Sequence, residues 1–527
     1  MSLFDIIIHG GIIIDGTGAP PFRADIGIKR DKIVKIGDLS NFQAEIIINA
    51  KDLIVSPGFI DIHNHSDLSI FAVPTADNYV MQGVTTIVIG NCGMSAAPIT
   101  DINKDFMKDT WQPFGDGIIP RWDKYSEYLE ALNELKKSIN VAPLIGHGAI
   151  RSAILGTEDV KPTERQLNEM KKLVVEAMEL GIFGMSSGLI YIPGVFAETK
   201  ELMELAKVVA RYNGIYTVHM RNEGSKLIDS IMEMINISIN SGVSLQISHL
   251  KSFGLPNWGK VSIALSLISY YIERGFDISA DAYPYTAAST TLLALLPSWI
   301  REGGIRRAIE RLANPDTIEK LAKDLEAPES MERMFIDWSR IYISSSPKHK
   351  DLEGKNIETI AKELGIDPLK AVAKLIIEDE GSTEIIDHGM SEEDVTKVIA
   401  HPYIAICSDG RIRKFGIGKP HPRNYGTFPR VIAKYVREEK RMSLVEAVRK
   451  MSSLPARKLR LWDRGIIRPG MKADIVIFNY YIISDTATFN EPHNYPRGIK
   501  YVIVNGEIVI EEEKHTGNMP GKLLRKN

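Results

Sequence analysis

Cysteine is nearly absent: Cys92 and Cys407 are the only thiols in 527 residues. Two cysteines cannot staple a secreted framework, and so few in a long chain suit a reducing compartment, so a cytoplasmic protein is expected. Charge excess is missing too. With Lys+Arg 64 against Asp+Glu 67 and a net charge of -3, nothing electrostatic calls for nucleic acid or a membrane surface, and a small molecule is the expected partner. No apolar run reaches transmembrane length. The isoleucine runs Ile6-Ile7-Ile8 and Ile12-Ile13-Ile14 are interrupted by His9-Gly10-Gly11, and they lack the basic flank and cleavage site of a signal peptide. The glycine-rich fingerprint of a dinucleotide-binding doubly wound sheet is also lacking.

What is present is length, enough for one barrel-sized domain and a smaller one. Residues 1–57 are rich in β-branched residues and punctuated by turns at His9-Gly10-Gly11, Asp15-Gly16 and Lys29-Arg30-Asp31-Lys32, the pattern of short antiparallel strands. The far C-terminus repeats that pattern in Ala473 to Phe478 and Tyr501 to Val509, the latter with an Asn505-Gly506 turn. Residues 1–57 and 464–527 are therefore expected to form one small β-sandwich domain. Between them, apolar strands alternate with amphipathic helices, as in a parallel sheet with helical crossovers. One helix is explicit: Thr163 and Gln166 have capping-box spacing, Leu167, Met170, Leu173, Val174, Ala177 and Met178 follow helical spacing, and Gly181 ends it. Eight strands, ending near His65, Cys92, His147, Ser187, His219, His249, Tyr283 and Asp409, make residues 58–463 a (β/α)8 TIM barrel. The stretch before the last strand is too long for one helix, so about 288–345 reads as an insertion after barrel strand 7, either a lid or pocket wall or a structural excursion that never touches substrate.

In a barrel, the C-terminal ends of the strands converge on one mouth. His63 and His65 end the first strand, Cys92 follows Thr85 to Asn91, His219 follows Gly214 to Val218, His249 follows Val243 to Ser248, and Asp409 follows Ile404 to Ser408. Residues i and i+2 of a strand share a face, so His63 and His65 project together. Imidazoles, a thiol and a carboxylate suit Zn²⁺ better than Mg²⁺ or Ca²⁺. His147 also ends a strand and is read as a supporting residue; Cys407 is read as an inert buried thiol, and Asp67 and Asp281 as hydrogen-bonding or loop-capping groups.

These residues carry a resemblance. Ser56 to His65, His219, His249, Asp409 and Gly465 to Val476 resemble the amidohydrolase superfamily. Gly90-Asn91-Cys92-Gly93, Ser186-Ser187-Gly188-Leu189, His219-Met220-Arg221, Ile247 to Lys251, Asp281 to Tyr285, Ser408-Asp409-Gly410 and His421-Pro422-Arg423 are similar to D-aminoacylases, the N-acyl-D-amino-acid deacylases. The likeness runs over nearly the whole chain. It implies a tightly held zinc on Cys92, His219 and His249, and a weaker second site on His63, His65 and Asp409 with Cys92 able to bridge; the metal count stays open. Many superfamily members bridge two metals with a carbamylated lysine from the fourth strand, but Phe183 to Gly188 offers none.

The resemblance implies hydrolysis of an N-acyl-D-amino acid to the free D-amino acid and a carboxylate. Asp409 is the expected general base, and Arg423, with Lys251, Tyr283 and Ser289, the expected holder of the substrate carboxylate. The loop from Asp409 to His421, which contains the basic run Gly410 to Phe415, is longer than the family pattern and bears on which carboxylate or side chain is accepted. The alternatives are a dipeptidase acting on D-amino-acid peptides, a cyclic amidase resembling dihydroorotase or hydantoinase, a deaminase, and a non-catalytic assembly protein. Oligomeric state is not legible.

Overall fold

A computed structural model of the chain describes residues 3–113, 117–327 and 335–526. The two chain ends meet in one nine-stranded sheet, where Ile54–Pro57 pairs antiparallel with Ile475–Phe478 and parallel with the first strand, Phe4–Ile13. Isoleucines from both ends pack together, including Ile6, Ile8, Ile26, Ile475, Ile477 and Ile503. The turn joining Ile499–Val504 to Glu507–Glu511 has Asn505 at φ +47° and Gly506 at φ +84°. Two successive positive φ values match the twist of a tight hairpin, which is why Asn-Gly occupies it.

Two parallel sheets follow. One contains Phe59–Asp61, Val84–Ile89 and Asn140–Pro143; the other contains Ile145–Gly146, Gly184–Gly188, Ile215–His219, Ser244–Ile247, Ile278–Ala282 and Ile404–Ile406. Most of these strands are buried along their whole length, as expected where helices cover a parallel sheet. The two sheets meet at both edges. Leu144, between Pro143 and Ile145, donates its N–H to Ile89 at 2.9 Å. At the other edge the Asp409 N–H reaches the His63 carbonyl at 3.0 Å and the His65 N–H reaches Gly410 at 2.8 Å. Asp61 ties that seam by accepting the Ser408 N–H at 2.8 Å and the Ser408 hydroxyl at 2.6 Å.

The helix expected from the capping box spans Glu164–Glu179. Thr163 Oγ1 accepts the Gln166 N–H, and Gly181 follows at φ +81°. Between Tyr283 and Ile404 the chain leaves the parallel sheets and builds an antiparallel one from Ala288–Thr291, Glu384–Asp387 and Ile341–Ser345. This excursion has its own apolar cluster, from Leu292 to Ile385. It runs beyond residue 345 because the apolar strand Glu384–Asp387 is the middle strand of the small sheet. Residues 328–334 of the expected insertion lie outside the described residues. No helix among the described residues is long and apolar enough to cross a membrane.

Candidate metal centre and substrate cavity

Cys92, His219 and His249 lie at or just beyond the ends of their strands, and the chain turns sharply at two of them. Cys92 has φ +52°, His249 φ +36° and Asp409 φ +50°. Non-glycine residues seldom adopt this region, and such strain gathers where a side chain must be aimed. Two glycines make room for the turn at Cys92. A Cβ on Gly188 would stand 2.1 Å from the Cys92 carbonyl, and one on Gly90 2.0 Å from the Leu144 carbonyl. Ser186 secures the same loop, accepting the Gly93 N–H at 2.9 Å and donating to the Gly90 carbonyl.

All six residues singled out as ligands converge. Cys92 Sγ is 3.3 Å from His63 Nε2, 3.6 Å from His249 Nε2 and 3.7 Å from His219 Nδ1. Asp409 Oδ1 is 3.1 Å from His65 Nε2 and 3.3 Å from His63 Nε2. Three overlapping triplets have donor atoms within 4.8 Å of one another: His63, His65 and Cys92; Cys92, His219 and His249; His63, His249 and Asp409. Burial opposes ionisation of the Cys92 thiol, but the His63 charge and hydrogen bonds from His219 and His249 outweigh it and hold the thiol well below its usual value. Burial likewise opposes the Asp409 carboxylate, which Arg423, His249 and His63 nonetheless hold well below the usual range. Burial disfavours the charged imidazoles, yet the negative charge of Cys92 and Asp409 raises His63 well above normal and His65 to about 9. A thiolate and a carboxylate thus flank the imidazoles and favour a cation among them. His219 differs, since burial and the charge of His249 keep it low.

Behind the imidazoles stand two carboxylates. Asp281 Oδ1 is 3.4 Å from His63 Nδ1 and accepts the His249 N–H at 2.7 Å, while Oδ2 accepts from Gln246 at 2.6 Å. Glu223 Oε1 is 3.0 Å from His249 Nδ1 and 2.8 Å from Lys251 Nζ, and Oε2 is 3.8 Å from His219 Nε2. Partners of this kind fix which imidazole nitrogen faces a metal. Glu223 was not singled out from the sequence, because an acid in the turn after a strand carries no local signature of a partner role. His147 contacts Glu201 at 2.7 Å, and Cys407 is buried, with its thiol donating to Asp281 at 3.2 Å. Asp67 is buried, and burial pushes it up to about 7.

The cluster opens into a cavity of about 220 Å³ that also reaches Lys251, Tyr283, Ser289 and Arg423. Arg423 binds Asp409 Oδ2 through Nη1 at 2.7 Å and the Ser289 carbonyl through Nη2 at 3.3 Å, and its Nε is buried without a hydrogen bond. The guanidinium lies 4.8 Å from the centre of the Tyr283 ring, and the Tyr283 hydroxyl is buried without a partner. Phe106, Trp111, Ile190 and Leu293 add apolar walls, and Glu384, Asp387, Arg411 and Arg413 close another side. Glu384 on the small sheet is gripped by Arg411 and, at 2.8 Å, by Arg413.

A model of the amidohydrolase family matches residues 47–510. The D-aminoacylase of Alcaligenes xylosoxydans xylosoxydans is 34% identical over 521 residues, 99% of this chain and 97% of that protein. The N-acyl-D-glutamate deacylase of the same organism is 33% identical over 523 residues, 99% and 97% of the two chains. Among solved structures, the N-acyl-D-glutamate deacylase of Bordetella bronchiseptica, complexed with zinc and a phosphonate mimic of the tetrahedral intermediate, superposes with TM-score 0.84 at 32% identity, covering 99% of each chain. With a family model spanning most of its length and full-length likeness to these enzymes, the chain belongs to the amidohydrolase family, within its D-aminoacylase group.

Proposed function

We propose that this protein is a zinc-dependent hydrolase that cleaves the amide bond of N-acyl-D-amino acids, releasing a D-amino acid and a carboxylate. The observation that carries this reading is the meeting of six clustered metal-type donors, five of them lining one cavity, with a guanidinium and an ammonium group in that cavity. We further propose that the two parallel sheets, joined by hydrogen bonds at both edges, form one (β/α)8 barrel over residues 58–463. Residues 1–57 and 464–527 then make the small β-sandwich domain, and the excursion after strand 7 supplies a pocket wall.

The donor set fits zinc: the thiolate, four imidazoles and carboxylate are the ligand types zinc prefers, they are mostly buried, and their donor atoms already cluster. Cys92, His219 and His249 would hold the tight ion, and His63, His65 and Asp409, beside the same thiol, a weaker one. The chemistry supplied by bound zinc is Lewis acidity, which polarises the scissile carbonyl and makes water acidic enough to attack near neutral pH.

The chain's own groups do the rest. Asp409 Oδ1 takes the proton of the attacking water and returns it to the departing amine, a poor leaving group until protonated. Arg423 keeps Asp409 ionised through Oδ2 and, with Lys251, binds the substrate carboxylate. That carboxylate shares the Arg423 charge, so substrate binding makes Asp409 more basic when a base is needed. Tyr283 and Ser289 flank the same anion. Glu223 and Asp281 hold the imidazole orientations.

The test is metal content of the purified protein together with amine release from N-acetyl-D- and N-acetyl-L-amino acids. One or two zinc per chain with D-selective release is expected; a metal-free, inactive protein after zinc reconstitution would overturn the reading.

A further inference from the structure

Among the described residues, four carboxyl groups line the cavity: Glu223, Glu384, Asp387 and Asp409. Three are matched with cations, Glu223 with Lys251, Glu384 with Arg411 and Arg413, and Asp409 with Arg423. Asp387 is not. It is 7% exposed, and among the described residues its carboxyl makes no hydrogen bond or ion pair. Arg340, whose charge acts on it, is turned onto Asp337 at 3.2 Å. Burial, aided by the Asp337 charge, pushes Asp387 up to about 8. A buried carboxyl without a partner carries a desolvation penalty that a donor on a ligand relieves.

The location says which part of a ligand arrives there. Asp387 stands opposite Ala288 in the small sheet, one residue from Ser289, whose carbonyl accepts from Arg423. It therefore lies on the Arg423 side of the cavity, the side that holds the α-carboxylate in the deacylase reading, on which this inference rests. The group nearest Asp387 then belongs to the amino acid being released rather than to the acyl chain.

We propose that Asp387 selects the substrate's side chain, receiving the amine of a basic D-amino acid, so that N-acyl derivatives of D-ornithine and D-lysine are substrates of this enzyme. The cation that Asp387 lacks among the described residues is brought by the ligand. An amine can also come from the acyl side, as the free α-amino group of a dipeptide, and the two sources are separable by experiment.

The experiment compares kcat/KM for N-acetyl-D-ornithine, N-acetyl-D-leucine and glycyl-D-leucine in the wild type, Asp387→Asn and Asp387→Leu. The ornithine-to-leucine ratio is expected to fall about tenfold or more in both variants, the scale for losing one partner of a buried charge pair, while the glycyl-D-leucine-to-N-acetyl-D-leucine ratio stays put. An unmoved ornithine ratio overturns the proposal, and so does a change confined to glycyl-D-leucine. Binding of the products is read separately by thermal shift: D-ornithine is expected to stabilise the wild type more than D-leucine does, and to lose that advantage in Asp387→Leu. If the wild type cleaves no N-acyl-D-amino acid, the deacylase reading fails, while the thermal shift still decides the role of Asp387: loss of the D-ornithine advantage supports it and an unchanged advantage overturns it.

Discussion

At the ends of the parallel strands, the carboxylates that face the cavity are matched by cations, whereas on the small sheet one carboxyl, Glu384, is doubly matched and another, Asp387, is bare. The strand-end wall has its charges fixed before any substrate arrives, as preorganised electrostatics requires. The small-sheet wall combines a locked ion cluster with an open valence. In the proposed reading, chemistry and selectivity are divided between two elements of different construction, one built on the large apolar cluster around the parallel sheets and one on a separate cluster around Leu292 to Ile385.

Three substitutions bear on that division, beginning with the largest effect. Asp409→Asn removes the proton acceptor from the strand-end wall but leaves Cys92, His219 and His249 intact. Turnover of N-acetyl-D-amino acids is expected to fall by about 10²–10⁴-fold, with at least one zinc retained by elemental analysis. Near-normal turnover would remove Asp409 from its assigned role.

Glu223→Gln tests whether the groups behind the ligands are part of that wall. It weakens the hold on His249 Nδ1 and leaves Lys251 without its carboxylate partner. A loss of roughly 10–100-fold in zinc affinity, measured by competition with a chelator, is expected from disturbing such a partner. Unchanged affinity would make Glu223 merely a counter-ion for Lys251.

Glu384→Gln acts on the small-sheet wall, where stability rather than turnover is expected to move. Removing one member of a buried ion cluster costs about 3–5 kcal/mol. Burial works against the Glu384 carboxylate, but Arg411 and Arg413 hold it down at about 2. A carboxylate depressed in the folded state contributes stability that is present above its unfolded value and lost as pH falls towards the folded one. Between pH 4.5 and 2 the wild-type thermal midpoint should therefore fall more steeply than that of Glu384→Gln. Parallel curves would mean that the cluster contributes nothing in that window.

The strand-end wall was legible in the sequence because its chemistry restricts residue type. A histidine, cysteine or aspartate that ends an apolar run stands out, and parallel strands bring such ends together. The capping box at Thr163 and the turn at Asn505-Gly506 were legible for a similar reason, since each is a local rule with a local signature. The small-sheet wall was not. Glu384 and Asp387 lie in a four-residue strand whose neighbours in the sheet are Ala288–Thr291 and Ile341–Ser345. Nothing in Glu384-Ile385-Ile386-Asp387 announces that pairing, or that one acid meets two arginines and the other none. Glu223, in the turn Asn222-Glu223-Gly224, reads from sequence as a solvated loop acid, and only the arrival of His249 and Lys251 from the next strand gives it a task.

The left-handed backbone at Cys92, His249 and Asp409 limits what these positions can become. Asparagine, aspartate and histidine tolerate that conformation better than branched residues, for which it is a true outlier. Valine, isoleucine or threonine would be rejected there by the main chain before their chemistry was ever tried. Sequence drift around the site is accordingly channelled towards short polar side chains, and a protein that lost the reaction through substitution here would still carry the imprint of a ligand-bearing turn.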